Sequence, residues 1–214
     1  MRFLSVVIFL MGAATAMAVE EAPYETIETF DAFELRRYAP VILAEVEIDG
    51  SFEDAGGKAF PLLAGFIGGK NEKGGKIAMT APVEQTPAGE RIDMTAPVNQ
   101  TAGSEAGRYV VSFVMPQAYS LDTLPRPTDS RIRFREEGER LVAARRYSGR
   151  WTESRYRDHE QALLTALREA GFSPIAPPVY ARYNAPFMPW FLRRNEVLVE
   201  VSGPVAARPD ASDP

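Results

Sequence analysis

The chain has 214 residues, 24 Lys and Arg against 29 Asp and Glu for a formal net charge of −5, no cysteine and one histidine. That balance disfavours nucleic acid and acidic membrane surfaces as partners. The lack of cysteine, with a single histidine, excludes disulfides, a Cys/His nucleophile pair and a Cys/His zinc cluster.

Arg2 is followed by an apolar run from Phe3 to Met11 and by small residues ending in Ala16-Met17-Ala18. This is the basic, apolar and A-x-A order of a secretory signal peptide, 1–18. The run falls short of the roughly 20 apolar residues a membrane span needs. The expected protein is exported, to a periplasm or beyond, without stable membrane insertion. Its mature chain starts at Val19 and has the size of one domain, 19–202.

Thr26 to Phe30 and Phe33 to Tyr38 flank Asp31-Ala32 and predict a hairpin. Ile42, Ala44, Val46 and Ile48 alternate as in a half-buried strand. Ser51-Phe52-Glu53-Asp54 has the form of a capping box. The helix it starts carries Phe52, Ala55, Ala59, Leu62, Leu63 and Phe66 on one stripe and stops at Gly68-Gly69. Two features break its pattern. Pro61 lies in the helix interior, where it removes a hydrogen bond to Gly57. Phe60, Ala64 and Ile67 widen the apolar arc beyond what packing on one sheet requires, which predicts either a covering loop or a ligand cleft.

After a Gly- and Lys-containing loop, Lys70 to Lys76, the pentapeptide MTAPV occurs at Met79 to Val83 and again at Met94 to Val98. In each copy alternate residues share a face: Ile77, Met79, Ala81 and Val83 in the first, Ile92, Met94, Ala96 and Val98 in the second. Pro87 and Gly89 between them predict a turn, so the pair reads as a hairpin whose prolines, Pro82 and Pro97, break the ladder. Met79 and Met94 are either core residues or soft thioethers for a flat apolar ligand or a metal.

Strand-like alternation returns at Tyr109 to Met115, Arg131 to Arg135 and Leu141 to Tyr147. A second helix is predicted from Thr152 to Ala170, with Gly171 as its left-handed cap and Tyr156, His159, Leu163, Leu167 and Ala170 on one face. Strands near Val179 to Tyr183 and Glu196 to Val201 close the fold, and 203–214 reads as a disordered tail. The order predicts an α+β fold: a distorted antiparallel β-barrel, closed or nearly so, built from two similar halves, with two helices packed on it.

The doubled MTAPV, with "YETIETFDAFELRRYAP" near the start and "ARYNAPFMPWFLRRNEVLVEV" near the end, resembles the SOUL family of haem-binding proteins from about Tyr24 to Val201. The resemblance implies a distorted barrel with two helices. It also implies a small-molecule partner, haem or a related tetrapyrrole, in a shallow apolar cleft beside the first helix and the loop Asn184 to Leu192. Candidate lining residues are Phe60, Leu63, Ala64, Ile67, Met79, Met94, Phe187, Met188 and Trp190, a set suited to a flat macrocycle. The family's basic positions on the helix and in the late loop correspond here to Gly57, Gly65 and Met188. Propionate contacts are therefore expected from Lys58 and Arg193, with Lys70 and Arg194 nearby. His159 is a candidate axial ligand or a packed core histidine. Arg193-Arg194-Asn195-Glu196 reads either as an anion site or as an ion-paired tether, with Glu34, Arg36 and Arg37 as possible partners.

The expected role is haem or precursor buffering or carriage. Two alternatives are an effector-type domain binding another apolar or cationic molecule near Glu53, Asp54 and Glu72, and an iron-removing enzyme using His159, Tyr183 or Glu160.

Overall fold

The computed structural model describes residues 20–72, 92–103, 107–184 and 187–203. Nine strands and two long helices follow in the order β1 (Tyr24–Thr29), β2 (Glu34–Tyr38), β3 (Val41–Asp49), α1 (Phe52–Ile67), β4 (Val98–Ala102), β5 (Arg108–Val114), β6 (Arg133–Glu137), β7 (Arg140–Tyr147), α2 (Glu153–Glu169), β8 (Val179–Arg182) and β9 (Asn195–Ser202). The strands form one curled antiparallel sheet in the order β6-β3-β5-β4-β8-β9-β7-β2-β1. The expected α+β architecture is present, as an open half-barrel: among the described residues β6 and β1 remain edges, and no pairing closes them on each other.

Local chemistry sets each element. The β1–β2 turn closes where Phe30 N donates to Phe33 O at 2.9 Å. Alternation in β3 sends Ala44, Val46 and Ile48 under α1 and Leu43 to the opposite face. The Ser51 side chain accepts from Asp54 N at 3.2 Å and starts α1, which runs through Pro61 to Ile67. Gly171, at φ 79°, follows α2 in the left-handed conformation that a glycine adopts without strain.

Both helices lie on the same face of the sheet. α1 packs over β3 and β5, while α2 packs over β7 and β9 through Tyr156, Leu163 and Leu167. Strands β4 and β8, adjacent in the sheet, therefore lie beneath the gap between the two helices. The helix N-termini converge there: Thr152 makes no side-chain cap, and Glu53 of α1 instead accepts from Glu153 N of α2 at 3.0 Å. On the other face Tyr38, Leu43, Val114, Val142, Ala144, Ala181 and Leu198 form a separate cluster with Ala22.

The first MTAPV, the turn after it and Met79 lie outside the described residues, as do 1–18 and the tail beyond Gly203. The second copy departs from the expected alternation. Ile92 is buried and Met94 exposed, yet Thr95, Ala96 and Pro97 are buried in succession. Two contacts explain it. Thr95 Oγ1 donates to Val114 O, and Glu20–Glu21 pairs in parallel with Thr95–Ala96, with Ala22 N donating to Ala96 O at 3.0 Å.

Candidate functional site

The widened arc of α1 divides in two. Leu63 and Ile67 are buried among Val46, Phe113 and Met115, so both belong to the core and do not line a surface cleft, because their positions on the helix coincide with the stripe that meets the sheet. Phe60 and Ala64 are half-buried at its margin, with the Phe60 ring 5.7 Å from that of Phe113. Lys58 is exposed and donates to Asp49 O at 3.2 Å, back along the chain toward the end of β3. Met94 lies in the stretch between Ile92, whose N–H donates to Ile67 O at 2.8 Å, and Val98, which pairs with Arg182.

The late loop presents the largest apolar surface. Phe187, Trp190, Phe191 and Leu192 are 88%, 47%, 58% and 61% exposed, the last three on a single 3-10 turn. Arg193 holds this loop from below: its Nε donates to Met188 O at 2.8 Å and its guanidinium stacks 4.1 Å from the Trp151 ring centre. Trp151 is fixed in turn by its Nε1 donating to Asn195 Oδ1 at 2.7 Å, and Arg150 lies 5.5 Å from the Trp190 ring.

A residue the sequence reading did not single out connects this loop to α1. Arg182, at the end of β8, donates to Tyr156 Oη at 3.1 Å and to Gln100 Oε1 at 2.8 Å, and lies 5.1 Å from the Trp151 ring. Gln100 Nε2 reaches Phe52 O at 2.9 Å. Gly56 makes room for this arrangement, since a Cβ there would overlap the Arg182 guanidinium. A chain of contacts therefore runs from buried Gly56 and Phe52 O through Gln100, Arg182 and Trp151 to Arg193 and the loop. Arg150, Arg182, Trp151, Phe191 and Leu192 join the candidate set, and Gly56 inside α1 was the signal for a close approach. The deeper clefts lie elsewhere: one of about 640 Å³ is lined by Pro40, Met115, Tyr119 and Glu137 among others, and another by Pro61, Lys70 and Asp129 among others.

His159 is committed elsewhere. Its ring stacks on Tyr147 at 3.9 Å between centres, and Arg145 Nε donates to its Nδ1 at 3.5 Å. Burial first, then the charges of Arg145 and Arg155, lower its pKa. A neutral imidazole accepting at Nδ1 carries its proton on Nε2, so this arrangement leaves no lone pair for a metal. Among the described residues no group of three or more His, Cys, Asp or Glu is placed to hold a metal ion. Tyr183 and Glu160 are also engaged, Tyr183 donating to Glu196 at 2.9 Å and Glu160 accepting from Tyr180 Oη at 2.7 Å.

Arg194 turns the other way. It pairs with Glu196 at 3.0 Å and with Glu21 at 2.9 Å, and Glu196 takes both Nη1 and Nη2 of Arg36 at 2.7 and 3.2 Å. Arg36 and Glu196 are both buried, and the bond and charge of Glu196 outweigh the burial that pulls the Arg36 pKa down, leaving it raised. Of the expected partners, Arg36 is the tether, and Glu34 supports it at 2.7 Å.

Residues 19–200 match the family model described as SOUL heme-binding protein. The chain belongs to the SOUL heme-binding protein family. Human Heme-binding protein 2 is 28% identical over 86% of this chain and 90% of its own, and mouse Heme-binding protein 1 is 27% identical over 84% and 92%. Among solved structures, the EcmrR C-terminal domain superposes with a TM-score of 0.58 at 9% identity, covering 84% of this chain and 98% of that one. A hydrolase from Listeria innocua gives 0.52 at 11%, covering 82% and 94%. At those identities the likeness is one of fold alone.

Proposed function

We propose that this SOUL-family protein binds haem or a related tetrapyrrole on the surface between the late loop and the N-terminal half of α1, as an exported carrier or buffer without catalysis. The observation that carries the reading is the juxtaposition of Phe187, Trp190, Phe191 and Leu192 with the guanidinium groups of Arg150 and Arg193. A tetrapyrrole is a wide apolar plane edged by carboxylates. Aromatic rings and Leu192 match the plane, and guanidinium groups match the propionates with planar, charge-assisted donors. Arg193 and Arg182 are already stacked on Trp151, so little side-chain freedom remains to be lost when an anion arrives. Bound haem supplies a redox-active iron; the residues of this site hold the macrocycle and its carboxylates, and the single histidine is not among them. Export rests on the leader-like pattern of 1–18. A cationic ligand fits less well, because Glu53 is bonded to the start of α2 and the gap between the helices is filled by Arg182.

Titration of the mature chain with haemin and with iron-free protoporphyrin tests this. Saturable one-to-one binding at about micromolar or tighter, weakened about tenfold by Trp190→Ala, is the expected result. Absence of saturation with both ligands, or a Trp190→Ala chain that binds as wild type, removes the assignment.

A further inference from the structure

The late loop projects beyond what the wall of a ligand site requires. The 3-10 turn Trp190–Leu192 has no buried residue, and Phe187 on its flank is 88% exposed. Four large apolar side chains on one protrusion form a patch that a water-facing surface does not ordinarily keep.

Charge supplies a second and independent observation. Residues 145–152 and 182–195 contain Arg145, Arg146, Arg150, Arg182, Arg193 and Arg194 and no Asp or Glu, in a chain whose net charge is −5. The two segments are packed together by the Trp151–Asn195 hydrogen bond and by Arg150 and Arg193 against Trp190 and Trp151. Arg194 is neutralised by Glu21 and Glu196, and Arg145 is held by His159 and by Ala32 O. Arg146 shares its face of the sheet with Glu196, its partner across the ladder, and so lies with the Arg194 knot, whereas Arg150 is exposed and lies over Trp190 at the root of the apolar tip. An apolar tip with guanidinium groups behind it, on an otherwise acidic molecule, is complementary to one kind of surface: a bilayer carrying anionic headgroups. The remaining acidic surface is repelled by such a bilayer and so turns this face toward it.

We infer that the late loop is a reversible docking element for anionic lipid surfaces, with Phe187, Trp190, Phe191 and Leu192 entering the headgroup region and Arg150 meeting the phosphates. The inference goes beyond tetrapyrrole binding and holds for the ligand-free chain. Together with that reading it places the ligand surface at the boundary where an amphiphilic macrocycle resides in a membrane.

The test uses ligand-free residues 19–214, which include every described element and the span matched by the family model. Sedimentation with vesicles of phosphatidylcholine, alone or mixed with phosphatidylglycerol, gives the bound fraction, and tryptophan emission reports burial of Trp190. The expected result is about fivefold or stronger binding to the anionic vesicles, a blue shift of the emission, and reversal by salt. The double variant Phe191→Ser, Leu192→Ser is expected to lose about tenfold in binding, with an unchanged urea midpoint because both side chains are exposed. Equal binding to neutral and anionic vesicles, unaltered binding of the double variant, or no binding at all overturns the inference, and the last outcome leaves the face to a protein partner. Haemin titration of the same samples is a separate readout, so loss of lipid binding and loss of ligand binding are told apart.

Discussion

Arg193 and Arg194 are neighbours in the segment that leads into β9, and their side chains leave it in opposite directions, toward Trp151 and toward Glu196. Arg194 joins a knot with Glu196, Arg36, Tyr183 and Glu21 in which every guanidinium meets a carboxylate. Arg193 joins a platform with Trp151, Met188 and, through Trp151, Arg182, where guanidinium groups meet rings, amides and hydroxyls. The knot is buried at its Arg36–Glu196 centre, and it fixes the root of the last strand. The platform stacks guanidinium groups on Trp151 and lies beside an exposed apolar loop. One residue type thus serves as ion-paired tether on one side and as a ring-stacked brace of the loop on the other.

The comparison breaks hardest at Glu196. Glu196→Ala leaves buried Arg36 with only the part-exposed Glu34 as carboxylate partner and is expected to destabilise by about 3 kcal/mol, read as a fall in the urea midpoint, with the proposed ligand surface altered only through loosening of the loop. On the other side, Trp190→Ala is expected to weaken haem about tenfold, or about 1.4 kcal/mol, with stability unchanged within about 0.5 kcal/mol, since the ring is 47% exposed. Gly56→Ala probes the junction between platform and helix. The new methyl group displaces the Arg182 guanidinium from Gln100, so affinity falls, while a helix-propensity gain of up to about 1 kcal/mol offsets the lost contacts.

The smallest effect concerns His159. Its folded-state pKa lies below the ordinary value, so the unfolded chain binds more protons as the pH falls below about 6.5. The associated stability is therefore present above that pH and lost as the pH falls toward the folded-state value. His159→Gln is expected to flatten this slope in urea titrations between pH 5 and 7 and to leave the absorbance of a haem complex in place. A changed ligation spectrum would show that His159 leaves Arg145 to bind iron.

Much of this was legible from local signals. Ser51 and Gly68 bounded α1, Thr152 and Gly171 bounded α2, and period-two patterns marked β3, β5 and β7, because caps and alternation are set by neighbours in sequence. Features set by distant partners were not legible. The second MTAPV lost its alternation to Val114, 19 residues from Thr95, and to Glu20–Glu21, whose first residue pairs with Thr95 from 75 residues away, both beyond any local pattern. Ile67 widens the apolar arc of α1 and Leu63 lies on its sheet-facing stripe, and the core takes both, since periodicity does not tell how far the sheet curls round the helix. Arg182 was hidden because a strand-end arginine usually points to water; only Gly56, a costly residue inside a helix, hinted that another group came close.

The most direct test of the account compares Arg193→Ala with Arg194→Ala, each measured by haemin titration and urea denaturation. The two-face account predicts that Arg193→Ala loses haem affinity at nearly constant stability, whereas Arg194→Ala loses stability and keeps its affinity once folded. Equal affinities for both variants, or a reversal of the two effects, would contradict it.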